Sequence, residues 1–475
     1  MPSRSKITVA AVLLSGLFIY RSGDLIKNVI LNKTPLPVGY VAEGDYEGGS
    51  CEALGPQNEA NPLDSLAYCE DTAFWELHKH AGDETPSSRL VLATCDANRK
   101  SWNTVMGPLR DPNPRGTLWV YTPSAKSPPK PSKVTFEDYP EGHDFHPLGF
   151  EIWPSYGGNA SNLYVVNHAR ERTVIEHFTM DPSKPTVAKH IRTISSPYFV
   201  SPNSVALTSP DSFYVTNDHL ITRRWPIVGH VLPLLESILG LPISFVSHVT
   251  LTPPSSVRSL EEDQPPRSEI ASHTFAAKFI PFPNGIALSS SGRQVAVASS
   301  SLAKVFFYDR DPLTNALTPI RERTATVPFC PDNVRYVHNG VTTAEGDEEL
   351  IVAGHPHFPS LINLAKNATG ATAGSWVVSI IPKTPIAHSD TKNPHEELEE
   401  VGVFDTEAPI STSHYVSAGP TWTLKTLFQS NGDTERGFTA SSTAIRDPSD
   451  GTLYVSGLYD AKGVLACTPT NKGGK

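Results

Sequence analysis

Five short clusters in this chain set acids or amides beside one another: Glu70-Asp71, Pro202-Asn203, Asn217-Asp218-His219, Pro283-Asn284-Gly285 and Cys330-Pro331-Asp332-Asn333. Their side chains carry carboxylate and amide oxygens, the hard donors that Ca²⁺ gathers in sets of roughly six to eight. Asx-Pro and Asn-Gly pairs also make plain turns, so one such cluster alone carries no information. The signal is repetition, because each cluster lies next to a segment that reads as a β-strand. The expectation is that the clusters meet on the axis of a circular β fold and hold a cation there.

The elements that must position them are short strands. Six segments resemble one another: Leu90–Thr94, Leu163–Asn167, Phe213–Asn217, Val295–Ser299, Leu350–Gly354 and Leu453–Gly457. Each is apolar and β-branched or aromatic at first, then turns small or polar. Several are followed by a second strand, as at Lys304–Asp309, and turn signals such as Ser289–Gly292 and Pro448–Gly451 precede them. Six irregularly spaced β units predict an all-β, six-bladed propeller. A β-sandwich, or unrelated Val-rich strands, is the competing reading. The fold expected here also includes an N-terminal hydrophobic helix and a helical insertion over the tunnel mouth.

That insertion is Trp225–Leu241, which holds a single charge, Glu236. Leu232, Leu235, Ile238 and Leu239 fall on one helical face. The face either packs over the top of the propeller or touches a membrane. Two polar stretches, Pro253–Ser268 and Lys383–Ser411, read as solvated loops.

Composition narrows the function. Forty-three prolines and 32 glycines suit a loop-rich β protein, and a net charge of −10 excludes a nucleic-acid surface. Arg4 and Lys6 precede an apolar run from Ile7 to Tyr20, closed by Arg21. This is short for a span of ~20 residues and fits a signal peptide or an uncleaved signal anchor. The chain divides accordingly into 1–21 as signal segment, 22–50 as linker and 51–475 as the propeller. The body is expected to enter the secretory pathway and to be membrane-anchored or secreted. Sequons at Asn32, Asn159 and Asn367 agree. Of the five cysteines, Cys51 and Cys467 lie near the two ends of the folded region, where a bond would close the ring. Cys69 and Cys95 could form a second bond, leaving Cys330 as a buried thiol beside the cation site.

The ordered set Glu70-Asp71, the VVNH motif ending at His168, Pro202-Asn203, the FYVTNDH motif ending at His219, the PNGI at 283–286, the PDN at 331–333 and Gly354-His355-Pro356 resembles the paraoxonase/arylesterase family. The likeness runs from about Cys51 to Cys467. It implies a six-bladed propeller with two calcium ions in its tunnel and an activity on lactones and aryl esters, with phosphotriesters for some members. Carried over, Glu70, Asn203, Asn284, Asp332 and Asn333 hold a catalytic calcium. That ion polarises a small ester or lactone carbonyl while a base activates water. Asp71 and the Phe150 carbonyl belong to a second calcium, but the family's further acid is Ser204 here. The family's histidine pair maps to His168 and Leu148. Water activation is therefore expected from His168, alone or with His146, or from a carboxylate such as Glu70 or Asp332. His219 and His355 are expected to line the pocket. Two other readings stand beside this one: a propeller that keeps calcium without catalysis, and a metal-free propeller resembling strictosidine synthase.

Overall fold

The computed structural model describes residues 33–43, 51–55, 65–123, 130–253, 269–338, 348–383 and 415–469, together with 25–31 and isolated positions from 8 to 23. Its strands form six sheets arranged as the blades of a β-propeller. The innermost strands are Cys69–His78, Pro147–Ile152, Pro202–Ser209, Pro283–Leu288, Cys330–Tyr336 and Ser441–Arg446. Each inner strand packs against the inner strands of the two neighbouring blades, and the last meets the first. The strand Cys51–Ala53 closes the ring by pairing antiparallel with Val464–Cys467, Cys51 opposite Cys467. A disulfide joins those two cysteines and another joins Cys69 to Cys95, while Cys330 is free and buried.

The six similar segments of the sequence occupy one equivalent position. Each is the strand next to the innermost one in a different blade. That position is covered on both faces by neighbouring blades, which is why its sequence is nearly all apolar. The core lies between blades. Ala296, Val305 and Phe307 of one blade pack with Val334, Val352 and Trp376 of the next, and Phe307 stacks on Trp422 at 4.5 Å. Burying one such large side chain contributes about 1.5–3 kcal/mol.

Three features depart from the sequence reading. Within 22–50, read as a linker, Ile26–Leu31 forms a π-turn and Tyr40–Ala42 adds an edge strand along Phe428–Ser430, with Tyr40 stacked on Phe428. The insertion forms a helix at Leu232–Leu239, and of the two expected placements its leucine-rich face does not pack over the propeller. Pro233, Glu236 and Ser237 are buried, whereas Leu234, Leu235 and Leu239 are exposed. The cause is hydrogen bonding. The Glu236 carboxylate accepts the backbone N–H of Leu220 and Ile221 and the hydroxyl of Ser244, so its burial satisfies a loop that has no other partners there. A second helix, Phe358–Ala365, was not anticipated. The apolar run Ile7–Tyr20 and the sequon Asn32 lie wholly or largely outside the described residues, and so do most of both polar loops. Among the described residues no helix is long and apolar enough to cross a membrane. Asn159 and Asn367 are exposed.

Candidate metal centre in the tunnel

Every inner strand begins at the same end of the tunnel, and all but Pro147–Ile152 carry polar side chains within their first four residues. Proline opens three of them, at Pro147, Pro202 and Pro283, where a missing N–H costs the ladder nothing. The pairing of the inner strand slips just after its start in five blades: between Cys69 and Asp71, Pro202 and Val205, Pro283 and Ile286, Pro331 and Val334, and Ser441 and Thr443. In the remaining blade the inner strand slips likewise, between Pro147 and Phe150, which span three residues opposite the two from Asn167 to Val165. Such bulges re-aim side chains that strict alternation would send elsewhere. Here they bring Glu70, Asn203, Asn284, Asp332 and Asn333 together from four strands.

These residues surround a cavity of about 140 Å³, lined by Glu70, Asn203, Asn284 and Asp332. Each of the three amides turns its nitrogen to the protein. Asn203 Nδ2 faces Asp218 at 3.5 Å, Asn284 Nδ2 donates to Ser300 Oγ at 3.1 Å, and Asn333 Nδ2 donates to Glu70 and to Thr443. The amide oxygens of all three, and Glu70 Oε2, are buried without any hydrogen-bond partner. Four orphaned acceptors at one place are costly unless a cation meets them. Burial pushes the Glu70 carboxyl well above the usual range, reinforced by the charges of Asp71 and Asp332 and only partly offset by Arg99 and the Asn333 hydrogen bond. A divalent ion would relieve that crowding. Among the described residues no three of His, Cys, Asp and Glu converge into a group that could hold a metal ion, so an ion here would rest largely on the amide oxygens. The donors are carboxylate and amide oxygens, the set suited to Ca²⁺.

The histidines divide by their partners. His168 is buried, with Nε2 at 2.8 Å from the Pro202 carbonyl and Nδ1 at 2.7 Å from Thr104 Oγ1. A carbonyl only accepts, so Nε2 carries the proton and Nδ1 takes the threonine hydroxyl. Burial holds this ring neutral, with its pKa down at about 4. Water activation by His168, expected from the sequence, is therefore not supported by its surroundings, since both ring nitrogens are engaged by the protein. His146 faces Asp96 at 2.8 Å through Nδ1 and the Pro112 carbonyl at 3.0 Å through Nε2, under Trp102. Both ring nitrogens thus face the protein, so neither is free to meet a water in the cavity.

His355 differs from both. Its Nε2 lies 2.9 Å from Asp332 Oδ2, while Nδ1 is buried with no partner. Of the rings that line the cavity it is the one with a free nitrogen. His219 does not line it. Its Nε2 meets Ser237 of the 232–239 helix at 2.8 Å, and its Nδ1 lies 3.3 Å from Asp218 Oδ1 without hydrogen-bond geometry. Leu148 lines the cavity as an apolar wall. The roof comes from Phe358, Leu361 and Ile362 of the unanticipated helix and from the loop at 102–107; the 232–239 helix stands one layer outside. Burial, with Asp332 nearby, pushes the Cys330 thiol up, so it lines the wall as an inert group.

Asp71 and Phe150, expected to share a second calcium, instead share a guanidinium. Arg335 Nη2 donates to Asp71 Oδ2 at 2.6 Å and to the Phe150 carbonyl at 3.1 Å, and Nη1 reaches Glu151 at 2.5 Å. Sequence reasoning passed over Arg335, two residues beyond Asn333 on the same strand. The available signal was the lost acid at Ser204, since a monovalent cation needs fewer carboxylates around it. Asp71 Oδ1 also accepts from Thr443, which ties the arginine to the Asn333 amide.

The profile of the family described as Arylesterase matches residues 112–380. The chain is 27% identical to serum paraoxonase/arylesterase 1 of Homo sapiens over 177 residues, which is 37% of this chain and 42% of that protein. It is 25% identical to serum paraoxonase/arylesterase 1 of Mus musculus over 215 residues, 44% and 52% of the two chains. It is 36% identical to serum paraoxonase/lactonase 3 of Rattus norvegicus over 81 residues, 17% and 21%. The matches span about half or less of those relatives' own lengths.

Proposed function

This chain belongs to the arylesterase family, and from that premise we propose that it hydrolyses aryl esters and lactones with one Ca²⁺ held by Glu70, Asn203, Asn284, Asp332 and Asn333. The observation that carries the reading is the set of four buried, unpaired oxygens whose amide nitrogens are all spent on the protein. When bound, the ion supplies carbonyl polarisation and charge for the oxyanion. The chain's own residues do the rest. The 358–365 helix and Leu148 give an apolar wall for the acyl or aryl part of a small substrate and exclude bulk water. His355 Nδ1 takes the proton of the attacking water, and Asp332 accepts the ring's Nε2–H and so fixes its orientation. His168 and His146 hold the loop and strand ends around the cavity. Asp71 and Phe150, tied to Arg335, hold no ion, so the stoichiometry is one calcium per chain.

Calcium content of the purified protein, measured with an aryl-ester and lactone panel with and without EGTA, tests this. One bound calcium and EGTA-sensitive turnover are expected. Asp332→Asn should lose both, and His355→Gln should keep calcium while kcat falls by about 10²–10⁴-fold. Retention of calcium with no turnover on any ester or lactone would favour the calcium-stabilised, non-catalytic reading, which the fully engaged rings of His168 and His146 support. Turnover unaffected by chelation would refute the metal assignment.

The reading extends to location. Trp225, Ile227, Val231, Leu235 and Phe279 expose apolar surface, and Leu25 and Ile30 of the N-terminal segment line a small pocket together with Ser237 and Ile238. We assign this surface to the face of a lipid bilayer, next to an N-terminal signal anchor in the secretory pathway. A form lacking residues 1–24 should still co-sediment with phosphatidylcholine vesicles, and Trp225→Ser with Ile227→Ser in that form should abolish it; unchanged sedimentation of the double variant would oppose the assignment.

A further inference from the structure

The inner strands end at the other mouth of the tunnel, around a second and larger cavity of about 430 Å³. Its size falls in the range of small-molecule sites, roughly 300–1,000 Å³. Phe74, Trp153, Tyr156 and Tyr336 give it aromatic walls. Its three arginines are each shared between two carboxylates. Arg89 holds Glu76 and Asp447, Arg335 holds Asp71 and Glu151, and Arg446 holds Glu43 and Glu349. Asp83 and Glu84 line the cavity besides, with no arginine of their own. Carboxylates thus outnumber arginines in the lining, although Arg335 Nε is buried without an acceptor, and the net charge there is negative.

One ring on the wall has no hydrogen-bond partner at either nitrogen. It belongs to His78, which is 6% exposed. The ring is stacked on Tyr156 at 4.7 Å, held there by the pairing of Leu77–His78 with Ser155–Tyr156. Glu76 Oε2 stands 3.8 Å from His78 Nε2, too far for a hydrogen bond but close enough for one donor to reach both. A buried imidazole without partners is costly, and a ligand N–H would satisfy its acceptor nitrogen.

We propose that this opposite mouth is a second binding site, separate from the calcium cluster, which takes a small organic ammonium ion. Its N–H groups bond to His78 and Glu76, and its apolar part lies against the aromatic wall, where cation–π attraction adds to the carboxylate field.

Isothermal titration of the full chain with 2-phenylethylammonium tests the site, with 2-phenylethanol and phenylacetate as uncharged and anionic isosteres. The ammonium ion should bind at least tenfold tighter than the alcohol, and phenylacetate should not bind. His78→Phe, which keeps the stack on Tyr156, and Glu76→Gln should each weaken binding about tenfold or more. Asp332→Asn, at the other end of the tunnel, should leave it unchanged. Equal binding of the amine and the alcohol, full affinity in His78→Phe, or loss in Asp332→Asn would each overturn the proposal. Should Glu76→Gln unfold through loss of its Arg89 pair, the isostere comparison and His78→Phe decide alone.

Discussion

Gly285→Ala, a change of one methyl group, should disable the calcium cluster from behind. Gly285 follows Asn284 on an inner strand and lies against the adjacent one. A Cβ built there would sit 2.5 Å from Asn333 Cα, 2.7 Å from Val334 N and 2.8 Å from the Asp332 carbonyl oxygen. All three are backbone atoms, so no side chain can swing aside. Ordinary contact lies near 3.5–4.0 Å, so the strand bearing Asp332 and Asn333 must retreat by about 1 Å. Overpacking of this kind costs about 1–3 kcal/mol, and a 1 Å misplacement of reacting groups costs about 10²-fold in rate. Calcium titration, initial rates on an aryl ester and thermal melting of Gly285→Ala would be compared with Gly292→Ala. Gly292 sits in a turn at φ +68°, where a Cβ meets nothing nearer than 3.5 Å. Its alanine variant should lose about 1 kcal/mol from backbone strain alone and keep full activity. If Gly285→Ala binds calcium and turns over like the unmodified protein, the inner strands do not fix the cluster as argued.

Three further outcomes follow. Arg335→Met strands Asp71 and Glu151 in the interior and should cost about 3–5 kcal/mol by chemical denaturation, a loss that added calcium does not restore if the guanidinium is the resident cation. Stability should fall in two steps with acid. Burial holds His168 and His248 down at about 4 against 6.5 when unfolded, so the unfolded chain binds more protons in between and stability drops from about pH 6.5 towards 4. For Glu176 burial works the other way, but hydrogen bonds from His143, His190, Thr193 and Asn167 outweigh it and hold the carboxyl at about 2. Its contribution is present above 4.5 and lost as the pH falls through 2; denaturant midpoints across pH would show both steps. Cys51→Ser should destabilise by roughly 2–5 kcal/mol, measured as a lowered denaturation midpoint, and an unchanged midpoint would mean that strand pairing alone closes the ring.

The blades were legible because the strand beside each inner one is buried on both faces and must be apolar throughout. The cluster was legible because the bulged strand starts need polar residues at one end of the tunnel. The orientation of the 232–239 helix was not, since periodicity sees the leucines but not the backbone groups that draw Glu236 inward. The engagement of His168 and His146 was equally invisible, because Thr104, Asp96 and the Pro112 and Pro202 carbonyls reach them from distant parts of the chain. Arg335 escaped notice for the same reason: its partners are contributed by two other blades.

The pairing of Cys51–Ala53 with Val464–Cys467 has a consequence for how the chain is made. At ~5–20 residues per second, the strand at one end of the ring waits some 20–80 s for a partner 416 residues later. Cys69 and Cys95 are only 26 apart and can bond early. Until they do, Cys69 is the nearest thiol to Cys51. Prompt oxidation of the short pair therefore leaves Cys51 to meet Cys467, whereas a delay favours a wrong bond that keeps the ring open. The fraction of correctly closed chains should then depend on the order in which the two bridges form, and Cys95→Ser, which leaves Cys69 without its own partner, should lower that fraction; an unchanged fraction would refute the ordering.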